Sequence, residues 1–401
     1  MSTSLEIEQK YALVTRRLEV QTETTVQQLH AVLSRREVVK YQWITAPTGK
    51  PHIGYLIPLL KFADFIRAGG EVIVELTDTY AFLVNYKIPW EQVLHRTAYY
   101  QALITAALKV VGIPLSKVQI VQASTYQGTY SFSVDFWKLC ALSSLHDVRR
   151  TGAEVGSSTM LSPLLTPILQ ELAEVHSAVD VQLGGKDQRG IFEFGEEFLP
   201  RLGYPKRAHV LNEMLPGLTG DKMSSSYAAH TKIMFLDDAN TIQEKIAGAA
   251  CPIGVVEGNA ILPIVQHILM PLRELHLADF PQALSGELDT ADEVSGHREG
   301  GQAPFNGLDV QPGTLFSVSV RRDGDGGCEE HQHYRSYEDL EQDYRAHRIP
   351  PDSLKAAVAS GLIEVLEPLR QIYESSPEWR ESDLRGYPED WPVPAATVEQ
   401  A

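Results

Sequence analysis

The sequence predicts an α/β fold whose first half contains a parallel sheet and whose second half is mainly helical. Residues 71–78 form a nearly continuous apolar run, which is typical of a parallel strand buried on both faces. Residues 38–44 form a similar run, and helical periodicity follows each of the two. Strands that alternate with helices in this way indicate right-handed crossovers and a Rossmann-like sheet.

The individual elements follow in chain order. Two charged helices are expected within residues 4–39, and residues 45–54 form a strand-to-helix turn after the first strand. Glycines and a helix start at this turn offer backbone N–H groups to phosphates, which predicts a nucleotide-binding position. The further elements are a helix over 55–68, the strand 71–78, a helix near 90–112, a strand near 117–122, a helix over 161–176, and mainly helical stretches over 231–276 and 333–373.

A chain of 401 residues is long enough for two or three domains. We expect an N-terminal helical segment (1–39), a Rossmann-like domain (40–230), a helical domain (231–385) and a tail (386–401). Residues 284–330, inside the helical domain, are rich in Gly, Asp and Glu and lack periodicity, which predicts an insertion or a mobile loop. The tail is rich in proline, which predicts disorder.

Composition restricts the compartment. No apolar run is long enough to span a bilayer, and the N-terminus carries two Glu without an apolar core, unlike a secretory signal. Cys140, Cys251 and Cys328 are widely spaced and odd in number, which indicates free thiols and neither a disulfide framework nor a zinc site. We therefore expect a cytoplasmic protein with no membrane segment and no protein-bound metal centre.

The net charge of −17 is unevenly distributed. Residues 1–230 hold 22 Lys and Arg against 22 Asp and Glu, whereas residues 231–401 hold 13 against 30. Because nucleic-acid affinity normally comes from phosphate neutralisation by Lys and Arg, this balance argues against RNA binding by the second half. A local basic patch remains compatible with it.

Two short runs carry the chemical signal. Residues 47–54 read Pro-Thr-Gly-Lys-Pro-His-Ile-Gly, and residues 222–226 read Lys-Met-Ser-Ser-Ser. With the stretches 152–155, 179–189, 216–221 and 337–341, they resemble the tyrosyl-tRNA synthetases of eukaryotic cytosol and archaea, which are class I aminoacyl-tRNA synthetases. The resemblance covers most of the chain and implies a class I catalytic domain followed by a helical domain similar to the anticodon-binding one.

The resemblance also implies a reaction, in which an amino-acid carboxylate attacks the α-phosphate of ATP and pyrophosphate leaves. Such a step needs positioning and charge stabilisation more than a general base. His52, Lys222, Ser224 and Ser225 are then the catalytic residues, and Mg²⁺ accompanies ATP. The implied ATP-binding residues are Thr48, Gly49, His52, Gly54, Asp187, Lys222, Met223, Ser224, Ser225 and Ser226.

The implied amino-acid pocket departs from the family pattern. Thr166, Gln170 and Ala173 share one stripe of a helix, where the family has Tyr, Gln and Asp. Gln42 replaces a Tyr that contacts the phenol, and Ile44 replaces a Gly. The implied substrate-binding residues are Gln42, Ile44, Glu75, Gln127, Thr166, Gln170, Ala173, Gln182 and Gln188.

Glu75 replaces a family Leu inside an apolar strand, and a buried carboxylate must be paired or protonated. Two interpretations stay open. Either Glu75 lies at an edge, faces solvent or pairs with a nearby Arg, or it contacts a polar or cationic group of the substrate.

The features implied for RNA binding and dimerisation are weaker. Arg149, Arg150 and Asp352 stand where the family approaches tRNA, although residues 240–247 carry one lysine where the family helix is lysine-rich. The family is a homodimer, and the apolar segment 130–145 is the candidate interface.

Three functions compete. The first is an amino-acid-activating ligase with a non-tyrosine substrate and a tRNA or small-amine acceptor. The second is a housekeeping tyrosyl-tRNA synthetase. The third is a non-catalytic binding protein that keeps the fold. The first two functions share one prediction, which is the ATP-dependent formation of an aminoacyl-adenylate.

Overall fold

A five-stranded parallel sheet forms the centre of the first half. The structure, a computed structural model, describes residues 5–84, 88–220, 229–278, 311–321 and 329–391. The strands are β1 (Lys40–Thr45), β2 (Glu71–Leu76), β3 (Val118–Gln122), β4 (Val181–Gly185), β5 (Ala208–Asn212), β6 (Phe316–Arg321) and β7 (Glu329–Tyr334). The sheet order is β3-β2-β1-β4-β5, with every pair parallel, and β6 and β7 form a separate antiparallel pair.

Helices surround the sheet and build most of the second half. Those of the first half are α1 (Ile7–Thr15), α2 (Glu23–Arg35), α3 (Leu56–Arg67), α4 (Asp78–Val84), α5 (Trp90–Val111), α6 (Ser124–Gln127), α7 (Tyr130–Leu142), α8 (Leu145–Arg149), α9 (Ala153–Gly156), α10 (Thr166–His176) and α11 (Arg189–Phe198). Those of the second half are α12 (Ala239–Gly248), α13 (Leu262–Ile264), α14 (Met270–Leu277), α15 (Tyr337–Arg345), α16 (Pro351–Ser375) and α17 (Pro377–Gly386). The predicted α/β fold with a helical second part is confirmed.

The two faces of the sheet differ in chemistry. One face presents apolar side chains such as Tyr41, Val74 and Leu183, which join the main core with α3 and α5. The opposite face presents Gln42, Glu75 and His209 among its buried side chains, and α10 covers it. Successive side chains of a strand point to opposite faces of the sheet. Neighbouring residues of one strand therefore belong to the apolar core and to the polar face in turn.

The strand order places a site at one edge of the sheet. β1 lies between β2 and β4, so the direction of the chain connections reverses there. In open parallel sheets, ligands bind outside the carboxyl ends of the strands at such a reversal. The turn that follows β1 begins at this point, where the sequence predicted a nucleotide.

Part of the predicted insertion is regular structure. Residues 284–330 were expected to form an insertion or a mobile loop, but Phe316–Arg321 is a strand paired with Glu329–Tyr334. Phe316, Val318 and Val320 are buried and alternate with the polar residues Ser317, Ser319 and Arg321, which is the period of a strand with one apolar face. Residues 279–310 and 322–328 lie outside the described part of the chain.

The expectation of a disordered tail is wrong for its first residues. Residues 386–391 pack on α5, and Tyr387 is buried there. The proline content misled the prediction, because Pro388 begins a short 3-10 turn over Pro388–Asp390. Residues 392–401 are not described, and the domain boundaries stay a prediction.

Candidate functional site

A cavity of about 370 Å³ opens at the carboxyl ends of β1, β2 and β4. Parallel strands deliver their following loops to this edge, so residues from distant parts of the chain meet there. Nine of the predicted site residues line it: Ile44, Thr48, His52, Gly54, Gln127, Thr166, Gln170, Asp187 and Gln188. Its volume is in the range of small-molecule sites.

His52 starts the turn that leads into α3 and lines the cavity. Burial, with a further contribution from the positive charge of Lys232, lowers the pKa of His52 to about 3, so the imidazole is neutral. Its Nδ1 accepts a hydrogen bond from the backbone N–H of Gly54 at 3.2 Å. The proton is therefore on Nε2, where it can be donated to an anionic oxygen.

The last two residues of β4 are glycines, and neighbouring side chains pack directly against them. A Cβ on Gly184 would lie 2.7 Å from the ring of Phe192, and a Cβ on Gly185 would lie 2.7 Å from Oδ1 of Asp187. Both glycines line the cavity together with Asp187. A larger residue at either position would displace Phe192 or Asp187, so the glycines keep these side chains in place beside the cavity.

The second nucleotide signature lies outside the described residues. Its residues are Lys222, Met223, Ser224, Ser225 and Ser226, which fall within 221–228. The predicted ATP residue Gly49 is described but does not line the cavity; its carbonyl accepts a hydrogen bond from the hydroxyl of Tyr100.

Beneath the cavity, a chain of buried side-chain hydrogen bonds crosses the polar face of the sheet. Gln182 Nε2 donates to Gln42 Oε1 at 3.3 Å, and Gln42 Nε2 donates to Glu75 Oε2 at 2.8 Å. The other oxygen of Glu75 accepts from the hydroxyl of Tyr126 at 2.6 Å. Both carboxyl oxygens of Glu75 are therefore engaged by protein donors.

Glu75 fits none of the interpretations left open by the sequence. Its side chain is 0 % exposed because β2 lies between β3 and β1, away from the sheet edge. Among the described residues, its partners are Gln42, Tyr126 and Ser177, none of them an arginine, and it does not line the cavity. Burial raises the pKa of Glu75 to about 7, against the opposing effect of the three hydrogen bonds.

Gln42, Ala173 and Gln182 also lie outside the cavity lining. The predicted helix over 161–176 begins with a 3-10 turn, Ser162–Leu165, and α10 follows it. Thr166 and Gln170 face the cavity, whereas Ala173, one turn further, is completely buried below it. The cavity therefore ends above Ala173.

A second buried cluster lies deeper on the same face. His209 Nε2 is 2.9 Å from Glu174, and His209 Nδ1 is 3.1 Å from Glu196. Burial alone would lower the pKa of His209, but these carboxylates outweigh it and raise the pKa to about 10. Burial and the adjacent Glu174 raise the pKa of Glu171 well above its usual range.

The ligand atoms of Glu171, Glu174 and His209 lie within 4.8 Å of one another, so the cluster has the composition of a metal site. A protonated His209 already donates to Glu174 and Glu196, which satisfies both ring nitrogens without a metal. The sequence offered one signal for this cluster, which is the pair of Glu residues inside the apolar stripe of α10. Sequence reasoning did not use it.

Other cavity residues were missed as well. Five residues at or just after the ends of β2 and β5 line the cavity, namely Thr77, Thr79, Asn212, Glu213 and Met214. Their position after a buried strand was the available signal. Thr79 donates its hydroxyl hydrogen to Gln127 Oε1 at 2.6 Å and so orients one predicted substrate residue.

The predicted tRNA contacts are separate from the cavity. Arg149 and Arg150 are exposed at the end of α8, and Arg150 forms an ion pair with Glu197. Asp352 lines a groove of about 410 Å³ between α12 and α16 together with Gln243 and Lys355. The structure brings neither group to the candidate ATP and amino-acid site.

An apolar surface covers the outer side of α7 and the start of α8. We define the α7 surface as Tyr130, Trp137, Leu142 and Leu145, whose exposed fractions are 82 %, 60 %, 43 % and 53 %. Large side chains exposed together in this way are typical of a protein interface. It coincides with the predicted interface segment 130–145.

Among the helices that the structure describes, none combines the length and the apolar character needed to cross a membrane.

Comparisons with known proteins agree with this geometry. The family described as "tRNA synthetases class I (W and Y)" matches residues 34–276, which is more than half of the chain. The cytoplasmic tyrosine--tRNA ligase of Saccharomyces cerevisiae is 36% identical over 354 residues, covering 87% of this chain and 80% of that protein. The cytoplasmic tyrosine--tRNA ligase of Gallus gallus is 37% identical over 391 residues.

The chain covers 65% of the length of the Gallus gallus protein, so it spans less than two thirds of that relative. Among solved structures, the tyrosyl-tRNA synthetase of Archaeoglobus fulgidus complexed with L-tyrosine is similar, with a TM-score of 0.73 and 28% identity. That similarity covers 92% of this chain and 99% of the archaeal chain. The sequence motifs, the cavity at the strand ends and these comparisons together show that the chain belongs to the tyrosyl-tRNA synthetase family of class I ligases.

Proposed function

We propose that this protein activates an amino acid with ATP and transfers the aminoacyl group to an acceptor, as tyrosine--tRNA ligases do. We call the turn after β1, residues 45–54, the nucleotide turn. The proposal rests on one cavity that is lined both by Thr48 and His52 of this turn and by a set of glutamines, Gln127, Gln170 and Gln188. The two reactants therefore have adjacent places. Adjacent binding supplies most of what an in-line displacement at phosphorus needs.

In the proposed reaction, an oxygen of the amino-acid carboxylate forms a bond to the α-phosphorus of ATP, and the bond from that phosphorus to the bridging oxygen breaks. Pyrophosphate leaves with the bonding electron pair. His52 donates its Nε2–H to a phosphate oxygen and, being neutral, does so without a change of protonation state. The start of α3 adds backbone N–H groups next to it.

Lys222, Ser224, Ser225 and Ser226 are proposed to bind the leaving pyrophosphate, on the strength of the sequence signature alone. The cavity lining also fits a Mg²⁺ ion that arrives with ATP, since Asp187 and Glu213 are its carboxylates. Mg²⁺ typically uses one or two carboxylates together with substrate phosphates. When bound, the ion neutralises phosphate charge.

Tyrosine and tRNA are the substrates that the comparisons favour. The relatives in yeast and chicken are named as tyrosine--tRNA ligases, and the archaeal structure holds L-tyrosine. Their names also favour a cytoplasmic location. We extend these properties to this chain as part of the proposal, with the α7 surface as the interface of a homodimer.

A second candidate is a ligase for an amino acid with a shorter side chain. The specific observation is that Ile44 lines the cavity while Gln42 and Glu75 bond to each other below it. A site that recognises a phenol rejects substrates without one because its own polar groups would then stay buried and unpaired. Gln42 and Glu75 are already paired with each other, so they cannot discriminate in this way. The low Lys and Arg content of residues 231–401 extends this candidate to a small-amine acceptor in place of tRNA.

ATP–pyrophosphate exchange against each amino acid in turn separates these candidates. Exchange with tyrosine supports the first, and exchange with a smaller amino acid alone supports the second. A Lys222→Ala variant controls for contaminating synthetases, because it must lose the exchange. Absence of exchange with every amino acid, together with no rise in melting temperature at millimolar ATP, supports a non-catalytic binding protein instead.

A further inference from the structure

Three consecutive residues of the nucleotide turn are bound by parts of the chain far from it. The carbonyl of Thr48 accepts a hydrogen bond from Arg96 Nη1 at 2.7 Å. The carbonyl of Gly49 accepts one from Tyr100. Lys50 Nζ lies 2.7 Å from Asp383 Oδ1 and 2.9 Å from Asp390 Oδ2.

Arg96 connects this turn to the C-terminal segment, which we define as residues 377–391. Its Nε donates to the carbonyl of Gly386 at 2.7 Å, and its Nη2 is 3.0 Å from Glu389 Oε1. The Arg96 side chain is only 7% exposed. A guanidinium has donors fixed in one plane, so one side chain holds Thr48, Gly386 and Glu389 in a set relation.

Aromatic side chains also pack at the contact between Arg96 and the C-terminal segment. Tyr387 is buried, with its ring centroid 4.5 Å from the guanidinium carbon of Arg96 and 5.3 Å from the ring centroid of Tyr99. Lys50 Nζ is 5.3 Å from the centroid of the Tyr387 ring. A cation over an aromatic face is stabilised further when it is shielded from water.

We infer that the C-terminal segment positions the nucleotide turn, with Arg96, Lys50, Glu389 and Asp390 acting as positioning residues for ATP. The inference rests on the proposed function, in which Thr48 and His52 of this turn contact the nucleotide. None of the four side chains lines the cavity, so each acts through the backbone of the turn. Small displacements of groups that position a reactant lower rates strongly, which gives the segment leverage on the reaction.

The first test is the double variant Glu389→Gln with Asp390→Asn. Both side chains are about half exposed, at 57% and 49%, so their neutralisation leaves the core unchanged. We expect the KM for ATP in pyrophosphate exchange to rise about 3- to 10-fold, while the KM for the amino acid stays at the wild-type value. The matched control is Glu381→Gln, which removes an exposed ion pair with Arg385 on the same helix and touches no part of the turn.

The second test is Arg96→Lys, which keeps the charge but cannot bond Thr48, Gly386 and Glu389 at once. We expect a fall of about 100-fold in kcat/KM for ATP. Because Arg96 is buried, its replacement risks unfolding the protein, and unfolding would also lower the activity. The result is therefore compared with that of the double variant, whose substituted side chains are half exposed.

Hydrogen exchange at the backbone amides of residues 48–50 and 52–54, measured without ATP, gives a readout independent of activity. Faster exchange in both variants and wild-type exchange in the control support the inference. Wild-type exchange together with a wild-type Kd for ATP, measured by calorimetry, overturns it. Wild-type protein that fails to bind ATP contradicts the proposed function, and hydrogen exchange alone then decides the inference.

Discussion

The side-chain amide of Gln42 donates a hydrogen bond to the carboxyl group of Glu75 at 2.8 Å, between two central strands of the sheet. In the strand register, Gln42 pairs with Ile73 and Ile44 pairs with Glu75, so the bond runs diagonally across β1 and β2. It closes the space below the candidate amino-acid site. Glu75, for which the sequence left two interpretations open, is therefore a buried residue that lies below the cavity.

The ionisation of Glu75 predicts a pH dependence of stability. Its pKa is about 7 in the folded protein against an ordinary value of 4.5, so the folded state keeps a proton that the unfolded state has released. The free energy of unfolding should therefore fall as pH rises from about 4.5 to 7, by about 3 kcal/mol from this group. The Glu75→Gln variant should lose that part of the slope in urea unfolding at several pH values.

A matched variant of the same strand is Glu71→Gln, whose side chain is partly exposed. It should retain the wild-type slope. An unchanged slope in Glu75→Gln would show that Glu75 is already ionised in the folded state at pH 5.

The neutral state of His52 predicts the effect of its removal. Because its pKa is about 3, the imidazole does not titrate between pH 6 and 8 and contributes no limb to the pH profile there. His52→Ala removes the Nε2–H donor, and we expect pyrophosphate exchange to slow by about 100- to 1000-fold at every pH in that range. His146→Ala, at an exposed position of α8, should exchange at the wild-type rate. A rate loss confined to low pH would contradict the neutral donor.

The buried pair of Glu174 and His209 predicts a second pH dependence of stability, which comes from a charged pair and not from a protonated carboxyl group. Glu174→Gln removes one partner of a buried ion pair, which typically costs about 3–5 kcal/mol. The raised pKa of His209 gives stabilisation that is complete below pH 6.5 and is lost as pH rises through about 10. The difference between variant and wild type should therefore shrink toward pH 10 in chemical unfolding. The control Glu193→Gln, at an exposed position of α11, should have the wild-type free energy of unfolding at every pH. A difference between Glu174→Gln and wild type that stays constant up to pH 10 would contradict a charged pair.

The α7 surface predicts an oligomeric state. Trp137→Glu replaces a large exposed side chain of the α7 surface by a charge, so the proposed homodimer should dissociate to a monomer in sedimentation velocity at micromolar concentration. Gln101→Glu adds the same charge at an exposed position of α5 and should leave the dimer intact. A wild-type protein that sediments as a monomer would rule out this interface.

The sequence predicted those parts of the fold that local patterns determine. The apolar run at 71–78 and the helical period at 90–112 correspond to β2 and α5 within a few residues. The turn containing His52 could be placed because a nucleotide turn follows a buried strand. Thr166 and Gln170 were expected on one stripe of a helix, and both reach the cavity.

Contacts between distant residues could not be predicted in the same way. Whether Glu75 meets Gln42, an arginine or solvent depends on which strands are neighbours, and a single sequence does not contain that order. The burial of Tyr387 depends likewise on α5, whereas the local signal was only the high proline content of residues 386–401. The alternation at 316–320 was present in the sequence, but the surrounding Gly and Asp residues obscured it.

The bond from Arg96 to Gly386 also affects the order in which the protein matures on the ribosome. The two residues are 290 positions apart. Chains are synthesised at about 5–20 residues per second, so Gly386 follows Arg96 by about 15 to 60 seconds. The last of the five strands, β5, ends at Asn212, so all five strands are synthesised before Asp383 and Asp390, the partners of Lys50, are added to the chain. The residues of the sheet are therefore available for folding earlier than the residues that hold the nucleotide turn.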